Sequence, residues 1–142
     1  MTLFPKKVKH RKWQTKRVNA KKNVKETRGI TLAFGSHGIK AISSHRVESK
    51  QLESARKILA RHVNKFGRVW IRVFPDRPFT QKAAEVPMGK GKGDPQGYCF
   101  EVKPGRILFE IDGVSDAIAR EALRKAGTKL PVKIKIVSRD QM

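Results

Sequence analysis

The stretch that most constrains this chain is Glu85-Val-Pro-Met-Gly-Lys-Gly-Lys-Gly-Asp-Pro-Gln96, in which Gly89, Gly91 and Gly93 alternate with Lys90 and Lys92. Glycine admits φ > 0 and lets the main chain come close to a partner, and the lysines place positive charge on an otherwise bare backbone. Such a segment cannot build a core and gains little from a regular helix or strand. Any fold must therefore be assembled on either side of it, with the segment carried as a loop. Its chemistry suits reaching toward a polyanion; the plainer alternative is a surface loop with solubilising lysines.

Charge decides between these. The chain has 33 Lys+Arg against 12 Asp+Glu, a formal net charge of +21 over 142 residues. A compact body with that charge repels itself and gains from an anionic partner, most often nucleic acid for a basic chain. An anionic membrane is the competitor, but no strongly basic helix with a bulky apolar face is visible. No apolar run approaches the ~18 residues of a span, and the basic N-terminus lacks a signal-peptide core. No membrane partner is expected. The single cysteine, Cys99, excludes an internal disulfide, fits a reducing cytosol and sits in an apolar alternation as a packing residue.

Residues 1–28 hold eleven Lys/Arg and one acid, Glu26. Their few apolar residues follow neither the helical nor the strand period, so they read as a basic arm suited to threading along phosphates. Lys6, Lys7, Lys9, Arg11, Lys12, Lys16 and Arg17 supply charge, and Trp13 and His10 are placed to stack on exposed bases. A solvated tail is the bland alternative.

The remaining residues, 29–142, read as a single α+β domain of modest core, with a protruding loop over 75–97. Ile30, Leu32 and Phe34 alternate, Gly35-Ser-His-Gly38 turns the chain, and Ile39 to Ile42 continues it, which predicts a β-hairpin. Ser49 then caps a helix with Leu52, Ala55, Leu59, Val63 and Phe66 inward and Gly67 as C-cap. The other face carries Lys50, Arg56, Lys57, Arg61 and Lys65, a candidate phosphate-contacting face. Val69-Trp-Ile-Arg-Val-Phe74 is a strand stopped by Pro75 and Pro78. Pro104-Gly105 reads as a type II turn joining 98–103 to 106–111 in a second hairpin. Ser115 caps a second helix with Ile118, Ala119, Ala122 and Leu123 inward and Gly127 at its end. A last strand, 132–137, points Lys133 and Lys135 outward. Mixed strands with two helices on one face predict an α+β sandwich. No internal repeat is present.

Enzyme chemistry finds no foothold. The Gly/Lys spacing is not a P-loop, and no helix opens after it as a dinucleotide fingerprint requires. His10, His37, His45 and His62 are scattered, and one cysteine cannot make a zinc knuckle. Asp76, Glu85 and Asp94 fall in irregular sequence. No catalytic residue, metal, cofactor or small-molecule substrate is expected.

Several blocks occur together and in order: Pro5-Lys-Lys-Val-Lys-His-Arg-Lys12, Phe34-Gly35 with Gly38-Ile-Lys-Ala41, Gln51-Leu-Glu-Ser-Ala-Arg56, Trp70-Ile-Arg-Val-Phe-Pro75, Met88-Gly-Lys-Gly-Lys-Gly93, Gly105-Arg-Ile-Leu-Phe-Glu-Ile111 and Lys129-Leu-Pro131. From about residue 3 to 138 the chain resembles the sixteenth-protein family of the bacterial large ribosomal subunit, uL-sixteen, a relative of the archaeal and eukaryotic L-ten-e. The resemblance implies a hammerhead-like α+β domain on large-subunit rRNA beside the aminoacyl-tRNA channel, in the cytoplasm, with ribosomal proteins as neighbours. It implies rRNA contacts from the arm and basic faces, Arg72 included. It also implies that Lys82 and the loop Met88, Gly89, Lys90, Gly91, Lys92 and Gly93 reach toward A- and P-site tRNA near the peptidyl-transferase region. Members join late in subunit assembly, and catalysis stays with the RNA. Because the match begins within the arm, a transit peptide is not expected. A free assembly factor or nucleic-acid chaperone is the alternative from another class, and an enzyme with a Gly/Lys lid a third. The chain departs from the family at residues 18–25, and at Pro87, where members usually carry Arg. Proline brings no charge and no N–H and fixes φ, so neither that arginine's contact nor its modification can occur. The loop is then expected to be stiffer at its base and to lean on Lys90 and Lys92.

Overall fold

The computed structural model describes residues 3–13, 24–64, 66–81 and 91–141. The order is β1 (His37–Ala41), β2 (His45–Glu48), α1 (Ser49–Val63), β3 (Arg68–Ile71), β4 (Arg77–Gln81), β5 (Asp94–Val102), β6 (Ile107–Asp112), α2 (Asp116–Gly127) and β7 (Ile134–Ser138), closed by a 3-10 turn, Arg139–Gln141. Two sheets form, β3-β6-β1-β7 and β2-β5-β4, and every described pairing is antiparallel. The architecture is α+β, as the alternation of strand and helix periods predicts.

Each helix buries one stripe. In α1, Leu52, Ala55, Leu59 and Val63 are buried; in α2, Ala119, Ala122, Leu123 and Ala126 are. The helices pack on each other and on one face of the four-stranded sheet. There they meet Ile39, Phe109 and Ile111, all fully buried, each worth roughly 1.5–3 kcal/mol of burial. Residues 33–35 lie against the opposite face, with their N–H groups donating to the Glu110 side chain, and the Gly29 carbonyl runs alongside β6, accepting from the Ile107 N–H at 2.8 Å.

The helix ends differ from expectation in detail. Glu48 and Gln51 form a capping box, with the Gln51 side chain accepting from the Glu48 N–H at 2.9 Å, so the cap falls one residue before Ser49. The helix stops at Val63, because Asn64 takes φ 55 and ψ −149, far from the right-handed helical region. Phe66 therefore leaves the apolar stripe and is 90% exposed. Gly67 serves a close approach to β6 rather than a cap: a Cβ there would sit 2.7 Å from the Asp112 carbonyl oxygen. Ser115 caps α2 through the Ile118 N–H. Ile118 itself is 45% exposed, since it lies about 90° from the centre of the stripe defined by 119, 122, 123 and 126.

Neither expected hairpin forms. Residues 30–34 make no strand, and β1 pairs with β6 and β7 instead. The Pro104-Gly105 turn is present, with Gly105 at φ 104, but it passes the chain from one sheet to the other. β5 pairs with β2 and β4, while β6 pairs with β1 and β3. The reason is burial: residues 107–111 of β6 are buried throughout, and only a central position gives such a strand a neighbour on each side. The irregular segment expected over 75–97 is also shorter. β4 and β5 claim 77–81 and 94–102, and Pro78 is accommodated because β4 is an edge strand of its sheet. Strand β2, next to α1, has no expected counterpart.

Candidate nucleic-acid interface

The β4–β5 pair carries the Gly/Lys segment at its end, with Gln81 opposite Asp94 as the last ladder pair. Gly91 has φ 97 and open space where a Cβ would stand, so its glycine is explained by backbone conformation and not by crowding. Lys92 is exposed. Lys82, Met88, Gly89 and Lys90, with Pro87, lie outside the described residues, as do Lys16 and Arg17 and most of the divergent 18–25 stretch.

The arm is seated on the body at its start. Leu3 is buried in a cleft lined by Arg56, Ala60, Trp70 and Phe74 among others. Phe4 stacks on Tyr98 of β5 with centroids 6.1 Å apart. From there the arm runs to the loop. Lys12 Nζ donates to the Lys92 carbonyl at 3.4 Å, and Lys92 Nζ donates back to the Trp13 carbonyl. Arg77 of β4 lies over the Trp13 ring, 5.7 Å from its centroid. Two motifs 79 residues apart in sequence thus meet at the foot of the loop. Lys6, Lys7, Lys9, Arg11 and Lys12 are all exposed, and none has an ion-pair partner among the described residues.

Arg77 was missed by sequence reasoning, hidden in a segment read as irregular. Besides Trp13 it meets Glu101 at 2.6 Å. Of the helix residues, Lys57 and Arg61 are exposed. Arg56 turns its fork onto Glu53, at 3.1 and 2.5 Å, and the Glu53 carboxyl is held below its ordinary value chiefly by that bond.

Arg72 is committed inward. Its Nη1 meets Glu110 Oε2 at 2.5 Å, and its guanidinium lies 5.3 Å from the Phe34 ring centroid. Glu110 is fully buried in mid-strand, and its other oxygen accepts the N–H groups of Ala33, Phe34 and Gly35 at 2.9, 3.0 and 3.0 Å. Burial pushes its pKa up, but the bonds from Gly35, Arg72, Phe34 and Ala33 together outweigh burial and hold it below the ordinary value. This one carboxylate fastens residues 33–35 to the sheet. Arg139 completes the fastening by donating to the Gly35 and Ala33 carbonyls.

Ser36, His37 and Asp116 form a chain, Oγ to Nδ1 at 2.9 Å and Nε2 to Oδ1 at 2.7 Å. The residue types are those of a hydrolase triad, but Asp116 is exposed and shares its carboxylate with Arg120. The chain ties β1 to the start of α2. Cys99 is buried, and burial pushes its thiol pKa up, as a packing residue requires. His62 is half-buried, bonded to the Ile58 carbonyl at 3.0 Å.

Known proteins resemble the chain over nearly its whole length. The family model described as ribosomal protein L16p/L10e matches residues 5–137. A large ribosomal subunit protein uL16 from Afipia carboxidovorans is 53% identical over 137 residues, covering 96% of this chain and 97% of that protein. One from Maricaulis maris is 50% identical over the same length, with the same coverage. Matches of this extent run from the basic arm through the last strand, and the chain belongs to the L16p/L10e family of ribosomal proteins.

Proposed function

We propose that the protein is a structural, non-enzymatic constituent of the bacterial large ribosomal subunit in the cytoplasm, bound to its rRNA and to neighbouring ribosomal proteins. The arm residues Lys6, Lys7, Lys9, Arg11, Lys12, Trp13, Lys16 and Arg17, with Lys57 and Arg61 of α1, hold rRNA. Arg56 and Arg72 border that surface, with their guanidinium groups oriented by Glu53 and Glu110. The loop with Lys82 and Met88 to Gly93 extends from the β4–β5 hairpin toward A- and P-site tRNA, shaping the A-site region near the peptidyl-transferase centre. Reaction chemistry stays with the RNA.

The observation that carries this reading is the mutual docking of Lys12, Trp13 and Lys92. An arm anchored on rRNA would fix the foot of the loop, so a Gly-rich segment could hold one direction without a core of its own. Contacts to phosphates add salt-sensitive affinity, and a tryptophan stacked on a base adds roughly 1–3 kcal/mol.

Sedimentation of a cell extract through washes of rising salt tests it. The protein is expected to stay with large subunits until high salt, and the loop to crosslink to tRNA in them. Recovery mainly in light fractions or immature particles would instead support a cycling assembly factor or chaperone and remove the tRNA assignment.

A further inference from the structure

The face of the four-stranded sheet turned away from the helices carries an unneutralised lysine cluster at its β1–β7 end. Lys40 stands directly opposite Lys135 in the antiparallel register. The neighbouring pairs, Ile39 with Ile136 and Ala41 with Ile134, alternate with it. Ile134 faces the helices, since its Cδ1 occupies the space where a Gly127 Cβ would stand. Lys40 and Lys135 therefore share the other face. The ladder runs one residue further, the Ile42 N–H donating to the Lys133 carbonyl at 2.8 Å. That brings Lys133 onto the face of Lys135, beside Ile42, which is 52% exposed. None of the three lysines has an ion-pair partner among the described residues.

Like charges directly opposite on paired strands are destabilising. This chain does match charges where stability alone is served: in the other sheet Arg46 stands opposite Glu101 and pairs with it at 3.5 Å. Lysines on an edge strand commonly guard against edge-to-edge association, and β7 is an edge. Edge protection does not explain Lys40, which lies on the interior strand β1.

We propose that Lys40, Lys133 and Lys135 form a further RNA-binding face that grips a phosphodiester backbone, a surface separate from the arm and the Gly/Lys loop. Leu3 of the arm docks against β3, at the opposite edge of the same sheet. The domain would thus be held by RNA at both edges, which rests on the ribosomal reading above. A polyanion removes the Lys40–Lys135 repulsion on binding, so the free protein carries a cost that the complex does not.

The test uses the full chain, in vitro transcribed large-subunit rRNA, and a variant with Lys40→Gln, Lys133→Gln and Lys135→Gln. Binding is measured against salt concentration and thermal melting without RNA. Three lost phosphate contacts lower the slope of log affinity against log salt by about 2–3, and affinity at 0.1 M salt on the order of 100-fold. The variant's Tm is expected to equal or exceed that of the unmodified chain. An unchanged slope in a folded variant overturns the proposal, whether the variant aggregates as edge protection predicts or binds phosphatidylserine vesicles less well than the parent. If the unmodified chain fails to bind the rRNA, the ribosomal reading fails first, and this face with it.

Discussion

Charge is handled in two opposite ways in this molecule. Around Glu110, one buried carboxylate meets Arg72 and three backbone N–H groups, and every charge faces a partner. From Lys6 to Lys12 of the arm, and at Lys133 and Lys135 with the half-buried Lys40, cations face outward with no ion-pair partner among the described residues. The first region uses electrostatics to hold the chain on itself. The second leaves its charge uncompensated, at a cost in self-repulsion that is recovered only on an anionic partner. Acids are scarce here, and several of the few present, Glu53, Glu101 and Glu110, are paired with arginines of the body.

This contrast can be broken most forcefully at Glu110. Glu110→Ala leaves Arg72 near the buried site without its partner, and a broken buried pair costs about 3–5 kcal/mol, read by urea or thermal unfolding. The same group gives a pH signature. Its folded pKa lies below the ordinary 4.5, so its stabilisation is complete above that value and is lost as pH falls through the lower, folded one. Acid unfolding of the unmodified chain should therefore include a component below pH 4.5 that Glu110→Gln lacks. Equal acid midpoints would show that the carboxylate is not paired as described.

On the binding side, Trp13→Ala should weaken rRNA affinity by roughly 1–3 kcal/mol while leaving the salt slope almost unchanged, because it removes stacking and no charge. Lys6→Gln with Lys9→Gln should do the reverse, lowering the slope by about 1–2 with a stability change within about 0.5 kcal/mol. A substantial loss of stability from the lysine changes would erase the division between the two regions. The smallest effect is expected at Glu53→Gln, which frees Arg56 on the surface of α1. Exposed pairs of this kind are worth about 0.2–1 kcal/mol, and the freed arginine should leave RNA binding equal or slightly stronger.

Helix α1 illustrates how much could be read without a structure. Its apolar stripe and its basic face follow from the 3.6-residue period alone, and the burial of Leu52, Ala55, Leu59 and Val63 matches it. Its end was not legible, because whether Phe66 continues the stripe depends on Asn64 leaving the helical conformation and on Gly67 reaching β6. The turn at Pro104-Gly105 was readable from two residues, yet which strands it separates was not. Strand pairing is set by non-local partners, and the burial of β6 between β1 and β3 outweighed the nearness in sequence of β5.

By itself, the sequence determined the local and compositional properties: an α+β mixture, two amphipathic helices, a segment unable to form a core, and a charge excess that demands an anion. These depend on residue type, spacing and count, which survive in any arrangement of the chain. Only the tertiary structure decided which charges remain available. It turned Arg72 and Arg56 onto carboxylates, brought Lys12 and Trp13 to Lys92, and set Lys40 against Lys135 across a ladder. The physical reason is that a charge is neutralised by whatever lies within a few ångströms of it, and that neighbour is chosen by the fold.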